Sequence, residues 1–213
     1  MLELINADAP YALKSPHERE RRAAMLTTPS LKPLGEYLDV IRRERGPEYA
    51  IPNFDPCDGG SDARVLFLLE APGPKAVVSS FVSRNNPDPT ARNLCELLSG
   101  AGIARRDTLI WNIVPWYVGD GQGRIRPVNP ADIRAALPYL DGLLKRLPNL
   151  MRIVLVGLKA QSAAKSIRAL TPVPFFATPH PSGQVFNVRP DKRAEAEDTV
   201  REIALLLNAP ESD

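Results

Sequence analysis

The sequence predicts an α/β fold: a three-layer α/β/α sandwich with a central, mainly parallel sheet of four strands. Short runs rich in β-branched residues and leucine alternate with longer segments of helical periodicity. Such alternation is typical of β-α-β units, whose helices cover both faces of a parallel sheet. The length of 213 residues, of which 44% are hydrophobic and 24% charged, is ordinary for one globular domain. We therefore expect a single domain over residues 1–213.

The four predicted strands are short, apolar and bounded by residues that favour turns. They cover residues 64–69, 108–112, 152–156 and 174–178. The helices predicted between and after them cover residues 90–100, 131–145, 159–170 and 190–208. The second of these helices has a clear start, because Asn129 is a favourable N-cap residue and Pro130 fits the first helical turn.

The first sixty residues differ from the rest and are predicted to form an N-terminal helical arm packed on the sheet. A charged segment at 16–24 and a second segment at 34–45 have helical patterns. Residues 51–56 favour turns and lead into Gly59 and Gly60. The alternating charges of the arm are typical of a solvated helix face rather than of a DNA contact.

Composition and charge exclude several classes of protein. No apolar run approaches the roughly 18 residues of a membrane span, and the N-terminus lacks the pattern of a secretory signal. We therefore expect a cytoplasmic protein that does not bind membranes. Cys57 and Cys95 lie far apart, without the spacing of a zinc or iron–sulfur site, which indicates free thiols and no bound metal. The formal net charge of +2 permits nucleic-acid binding but does not demand it.

Three polar residues stand where predicted parallel strands end. Glu70 follows the first strand, Asn112 ends the second, and His180 follows the fourth. Open parallel sheets bind ligands beyond the carboxyl ends of their strands, so we expect a carboxylate, an amide and an imidazole at one rim. Each residue type also has a structural interpretation: a glutamate there is often a helix cap or an ion-pair partner, and an asparagine often completes a turn.

The segments around these residues resemble, in order, motifs of the uracil-DNA glycosylase superfamily. The resemblance runs from about Pro52 to the C-terminus. The matching segments are Glu70-Ala71-Pro72-Gly73, Phe81-Val82-Ser83, Asn112-Ile113-Val114, Val156-Gly157-Leu158-Lys159-Ala160 and His180-Pro181-Ser182. The first is similar to the Gly-Glu-Ala-Pro-Gly motif of the iron–sulfur branch, with Leu69 in place of the leading glycine. An ordered set of segments is far more specific than a lone His-Pro-Ser would be.

Two departures from the superfamily pattern change what the resemblance implies. The iron–sulfur branch binds its cluster through four cysteines, whereas this chain has two at unmatched positions. The chain therefore resembles a relative that needs no cofactor. Gly73 stands at the position of the tyrosine that excludes thymine in the common uracil enzyme. Its small size would leave room near C5 of the base and widen the substrate range to other deaminated bases.

The resemblance implies a catalytic pair, Glu70 and His180, beside a base-binding site. Breaking an N-glycosidic bond builds positive charge on the sugar and negative charge on the leaving base. His180 would donate a hydrogen bond to the base oxygen. Glu70 would either orient the attacking water or act electrostatically. The implied substrate-binding residues are Ala71, Gly73, Asn112, which reads the base edge, and Phe81, which either stacks on the flipped-out base or packs in the core.

The implied DNA contacts follow the His-Pro-Ser motif. Ser182 and Gly183 would approach a phosphate closely. The wedge that fills the space left by the flipped base aligns with Gln184, and Val185 and Phe186 remain as alternatives. Arginines in flanking loops are further candidate phosphate contacts: Arg124, Arg126 and Arg189.

Together these observations predict a monomeric, monofunctional DNA glycosylase associated with the nucleoid through its DNA substrate. It would hydrolyse the N-glycosidic bond of uracil, and of other deaminated bases, leaving an abasic site in base excision repair. The motifs place no catalytic lysine, so we expect no Schiff-base strand cleavage. Two alternatives remain open: an N-glycosidase acting on a free nucleoside or nucleotide, and a non-catalytic module that binds damaged DNA.

Overall fold

The computed structural model of the protein describes residues 8–119 and 124–209. Along the chain, its helices and strands are α1 (Pro16–Ala24), α2 (Lys32–Arg45), β1 (Asn53–Phe54), β2 (Val65–Leu69), α3 (Pro74–Ser79), β3 (Phe81–Val82), α4 (Pro89–Gly100), β4 (Thr108–Asn112), α5 (Pro130–Leu144), β5 (Arg152–Val156), α6 (Gly157–Ser162), α7 (Ala164–Leu170), β6 (Phe175–Thr178), α8 (Gly183–Val188) and α9 (Pro190–Asn208). Short 3-10 helices lie at Ala12–Lys14, Gly60–Asp62 and Arg105–Asp107.

Four strands form the central sheet in the order β4-β2-β5-β6, and every neighbouring pair is parallel. In the central strand β2, the side chains from Val65 to Leu68 are fully buried, as is typical of a strand covered on both faces. Leu69 pairs with Asn112 and Val156 pairs with Thr178, so the carboxyl ends of the strands meet at one edge. The predicted parallel four-stranded sheet is confirmed.

The helices pack in two groups around this sheet. One group contains α4, α8 and α9, and the other contains α2, α5 and α7. Each group turns apolar residues inward, for example Ala136 and Leu140 of α5 and Val200 and Ile203 of α9, because these positions recur with the helical period. The sheet and the two groups make the three predicted layers.

Local sequence explains where α5 begins. The Oδ1 of Asn129 accepts hydrogen bonds from the backbone N–H groups of Ala131 (2.8 Å) and Asp132 (3.0 Å), which is the expected N-cap.

One predicted helix is broken in the structure. The helix predicted over 159–170 is instead two helices, α6 and α7, which meet at Ala163. The Ser162 hydroxyl donates to the carbonyl of Lys159 at 2.7 Å, and such a bond to the preceding turn favours a bend.

The N-terminal arm is joined to the body by a buried ionic network, which corrects the expectation of a solvated charged face. Arg22 is 0% exposed and Glu18 is 3% exposed. The guanidinium of Arg22 donates to Glu18 Oε1 (2.8 Å), to Asp55, to Ser83 Oγ (3.2 Å) and to Asn85 Oδ1 (3.0 Å). Because positions 18 and 22 share one face of α1, both charges turn toward the body. The remaining charges of α1 are largely exposed, as expected.

Candidate active site at the carboxyl edge of the sheet

A cavity of about 530 Å³ lies beyond the carboxyl ends of the strands. It is the place where an open parallel sheet normally binds its ligand. Five of the predicted catalytic and substrate-binding residues line it: Glu70, Ala71, Gly73, Asn112 and His180. The predicted convergence of a carboxylate, an amide and an imidazole is therefore present in the structure.

Glu70 is held at the end of β2 by the extended pairing of β2 with β4. Beyond the regular strands, the N–H of Ile113 donates to the carbonyl of Leu69 (2.8 Å) and the N–H of Val114 donates to the carbonyl of Glu70 (3.1 Å). The side chain is half-buried, and its Oε1 accepts a hydrogen bond of 2.9 Å from the backbone N–H of Val128. One carboxylate oxygen is thereby fixed at the cavity wall.

Asn112 presents an unsatisfied donor to the cavity. The residue ends β4 and is 4% exposed. Its side-chain Nδ2 is buried and has no hydrogen-bond partner within residues 8–119 and 124–209. An unsatisfied buried donor costs about 1–3 kcal/mol, and such groups are uncommon in folded proteins. The arrangement fits an amide that donates to the carbonyl oxygen of a ligand.

His180 is half-buried in the segment that follows β6 and lies against the turn between β5 and α6. Gly157 forms that turn with φ +81°, a conformation that favours glycine. A Cβ atom at position 157 would lie 2.9 Å from the His180 Cβ. Burial lowers the pKa of His180 below its ordinary value of 6.5, although the charges of Glu70 and Asp88 partly oppose this. The imidazole is therefore neutral at pH 7.

Asp88 and Lys159 are among the cavity residues that the sequence did not identify as site residues. Asp88 accepts a hydrogen bond from the N–H of Ala91 (2.9 Å) as the N-cap of α4, and burial raises the pKa of its carboxyl group. The run Pro87-Asp88-Pro89 is a recognisable helix-start signal, but it does not reveal the cavity. Lys159 lines the cavity from α6, and its Nζ donates to the carbonyl of Val128 at 2.9 Å.

Phe81 is not among the residues that line the cavity, so the predicted stacking role does not fit its position. It is 2% exposed in β3, and its carbonyl accepts from Asn86 Nδ2 at 2.9 Å. Successive side chains of a strand point to opposite sides, and the next residue, Val82, lines the cavity instead. No aromatic side chain is present among the described residues that line it.

The DNA-contact residues predicted from the His-Pro-Ser segment lie at the start of α8, within it and directly after it. Ser182 caps α8, since its Oγ accepts from the N–H of Val185 at 3.2 Å. Gln184 is exposed, Gly183 and Val185 are half-buried, and Phe186 is 5% exposed and packs in the core. This burial removes Phe186 as a wedge.

The three arginines predicted as phosphate contacts differ in their surroundings. Arg189 is exposed and pairs with Asp191. Arg126 lines the cavity and pairs with Asp132, and Arg124 is exposed.

The described parts of the chain contain no group of three or more His, Cys, Asp or Glu side chains arranged to hold a metal ion. Cys57 is half-buried, Cys95 is buried, and both are free thiols. In residues 8–119 and 124–209, none of the helices has the length and apolar character needed to cross a membrane.

Comparison with known proteins agrees with the motif resemblance. A model of the uracil DNA glycosylase superfamily matches residues 56–204, which is more than half of the 213-residue chain. Among solved structures, the chain is similar to the solution NMR structure of a proposed uracil DNA glycosylase from Methanosarcina acetivorans, with 17% identity, a TM-score of 0.49, and coverage of 67% of this chain and 92% of that chain. No curated protein matches the sequence. The family match confirms the resemblance: the chain belongs to the uracil DNA glycosylase superfamily.

Proposed function

We propose that the protein is a monofunctional DNA glycosylase that hydrolyses the N-glycosidic bond of uracil in DNA and leaves an abasic site. The observation that carries the proposal is the buried, unsatisfied Nδ2 of Asn112 in the same cavity as Glu70 and His180. The uracil edge presents a carbonyl acceptor next to an N–H donor. One carboxamide offers the complementary donor and acceptor.

His180 supports the departure of the base. As the bond between C1′ and the base breaks, its electron pair moves onto the base and negative charge develops on the base carbonyl oxygens. A neutral imidazole, favoured by the lowered pKa of His180, retains one N–H to donate to such an oxygen. By comparison with measured oxyanion donors, this hydrogen bond is worth about 2.7–4 kcal/mol, or roughly a hundred- to thousandfold in rate.

Glu70 supports the sugar side of the reaction. The sugar becomes positively charged as the base leaves, and water completes the hydrolysis by forming the C1′–O bond and releasing a proton. The carboxylate, fixed through Oε1 by Val128, serves either by orienting this water or by stabilising the charge. Both roles need a negative group at a fixed position, so both predict loss of activity in Glu70→Gln.

The shape of the cavity supports a substrate range beyond uracil. A Cβ atom built on Gly73 would have no atom within 4 Å, so there is open space beside the motif where the common enzyme has a tyrosine. With no aromatic wall among the described lining residues, the base would be held by apolar side chains such as Leu94 and Ile110. Other deaminated bases belong to the proposed range.

A base in duplex DNA reaches such a cavity only when it is flipped out of the stack. Two basic side chains at the cavity, Lys75 and Arg126, suit the phosphate backbone beside it. Exposed Gln184 is the proposed wedge, with Ser182 and Gly183 at a phosphate and Arg189 nearby. We further propose that the protein is a monomer and acts in the cytoplasm on nucleoid DNA, in base excision repair.

A labelled oligonucleotide with one uracil tests this function, single-stranded and in duplex, without added metal. We expect strand scission only after alkali treatment, and its loss in a folded His180→Ala variant. Free deoxyuridine is incubated in parallel. Cleavage of the free nucleoside alone would indicate a nucleoside N-glycosidase, and binding of uracil-DNA without base release would indicate a damage-binding module. Either result would reject the proposed function.

A further inference from the structure

We propose that Lys159 is a positioning residue, which holds the Glu70 carboxylate in place through the main chain of Val128. This inference rests on the proposed function, because it assigns Glu70 to catalysis. The Nζ of Lys159 donates to the carbonyl oxygen of Val128 at 2.9 Å, and the N–H of Val128 donates to Glu70 Oε1 at 2.9 Å. A single buried residue is thus bonded at its two ends to a cation and an anion of the cavity.

Val128 belongs to a segment that forms one wall of the cavity. Three residues before it line the cavity: Ile125, Arg126 and Pro127. The segment is anchored upstream, where the N–H of Arg126 donates to the carbonyl of Val118 at 2.9 Å. Downstream it enters α5 at the Asn129 cap. Val128 itself is 1% exposed, so Lys159 holds the wall at the point where the wall meets Glu70.

The geometry leaves one Glu70 oxygen for chemistry. Oε1 is engaged by Val128, whereas Oε2 accepts no hydrogen bond from the described part of the chain. A carboxylate with one oxygen fixed has a defined orientation for the other. Hydrogen bonds to charged groups are stronger than neutral ones, so the ammonium and the carboxylate together make Val128 a stiff link.

The position of Lys159 follows from the turn that also serves His180. Gly157 lets the turn approach the His180 side chain closely, and two residues later Lys159 extends from the first turn of α6 to the carbonyl of Val128. The same turn therefore positions both the His180 imidazole and the Lys159 ammonium group, which holds the Glu70 carboxylate through Val128. The hydrogen bond to Val128 favours a positioning role over a free nucleophilic amine.

Steady-state kinetics of Lys159 variants on uracil-DNA test the inference. We expect Lys159→Met to lower kcat about ten- to hundredfold with little change in KM, because small misplacement of a catalytic group has effects of this order. Lys159→Arg, which keeps a charged donor, should recover most of the activity. Lys165→Ala, at an exposed lysine of α7, is the matched control and should behave as wild type. In a Glu70→Gln background, Lys159→Met should add little further loss, because coupled residues are not additive.

Amide hydrogen exchange gives a readout that does not depend on activity. Exchange of the Val128 N–H should accelerate in Lys159→Met and remain slow in Lys165→Ala. If wild type released no base, the proposed function would fail, and unchanged Val128 exchange would separately reject the tether.

Two other roles for Lys159 predict different results, and each would overturn the inference. If Lys159 contacted a DNA phosphate, Lys159→Met would raise KM by the same factor with Glu70 intact or replaced. The variant would also lower, by about one, the slope of the logarithm of DNA affinity against the logarithm of salt concentration. A Schiff-base nucleophile would form a borohydride-trapped complex with abasic DNA, which Lys159→Arg would lack.

Discussion

The backbone at Gly157 lies so close to His180 that a Cβ atom at position 157 would be 2.9 Å from the histidine Cβ. Gly157→Ala should therefore displace the His180 side chain and strain the turn, since φ there is +81°. We expect destabilisation of about 1–3 kcal/mol together with at least a tenfold loss of base release. Thermal unfolding and single-turnover kinetics would measure the two effects.

Gly35→Ala is the control for this substitution. Gly35 lies inside α2, and a Cβ atom at position 35 would have no atom within 4 Å, so alanine should preserve activity and stabilise the helix by about 0.5–1 kcal/mol. Full activity in Gly157→Ala would show that the close approach does not set the position of His180.

The open space at Gly73 predicts a change in base range rather than a general loss of activity. Gly73 has φ −79° and ψ 170°, which other residues adopt readily. Gly73→Tyr should therefore fold, fill the space beside the base, and reduce release of hypoxanthine, xanthine and mismatched thymine at least about tenfold relative to uracil.

Oligonucleotides that each carry one of these bases would measure the ratios, with Gly73→Ala as the control for loss of glycine. A wild-type enzyme inactive on every base except uracil would contradict the broad range. Equal losses on all bases in Gly73→Tyr would contradict the assigned position.

The lowered pKa of His180 predicts the pH dependence of base release. A histidine is neutral above its pKa, and here burial moves that pKa below 6.5. The rate should thus reach its plateau at neutral pH and fall in more acidic solution, with a midpoint below pH 6.5. Asp88→Asn removes a negative charge that favours protonated His180, so it should move the acidic limb to lower pH.

Asparagine caps helices as well as aspartate does, so Asp88→Asn should retain the start of α4. Single-turnover rates between pH 4.5 and 8.5 would measure both profiles. An acidic limb that moves to higher pH in the variant, or a wild-type rate that rises as His180 becomes protonated, would contradict a neutral donor.

The buried contacts of Arg22 predict that the N-terminal arm is part of the folding unit. Asp55 is 0% exposed and is paired with both Arg22 and Arg105. Arg22→Met would leave part of that charge uncompensated, and breaking such a pair costs about 3–5 kcal/mol. Urea unfolding would measure this, with Arg201→Met in an exposed pair of α9 as the control. A loss no larger than that of the control would show that the arm is not integral.

The four strands of the central sheet and most helices could be predicted because their signals are local, whereas the two-residue strands β1 and β3 were not predicted. The apolar runs 108–112 and 152–156 and the helix 190–208 match the structure residue for residue. The break at Ala163 could not be predicted, because no proline or glycine marks it. Burial of Arg22 depends on Asp55 and Asn85, which lie more than thirty residues away, and a single-sequence pattern does not contain such contacts.

The site was predictable to the extent that it depends on strand ends. Glu70, Asn112 and His180 follow or end parallel strands, so their convergence follows from the topology. Lys159 stands three residues after β5, where the same rule applies, but its hydrogen bond to the carbonyl of Val128 is a contact that the rule does not contain. Phe81 shows that resemblance of a segment does not determine where a side chain points. Phe81 and Val82 form the two-residue strand β3, whose side chains point to opposite sides, and Val82, not Phe81, lines the cavity.

The most direct test of the account is the amount of free uracil released from a uracil-containing oligonucleotide by wild type, Asn112→Ala and Asn149→Ala. Asn149 is exposed at the opposite edge of the sheet, before β5. We expect wild type and Asn149→Ala to release uracil at the same rate. Asn112→Ala should release it at least about tenfold more slowly, because a tenfold change corresponds to the loss of a buried hydrogen bond of about 1.4 kcal/mol. Undiminished release by Asn112→Ala would contradict the claim that this amide reads the base.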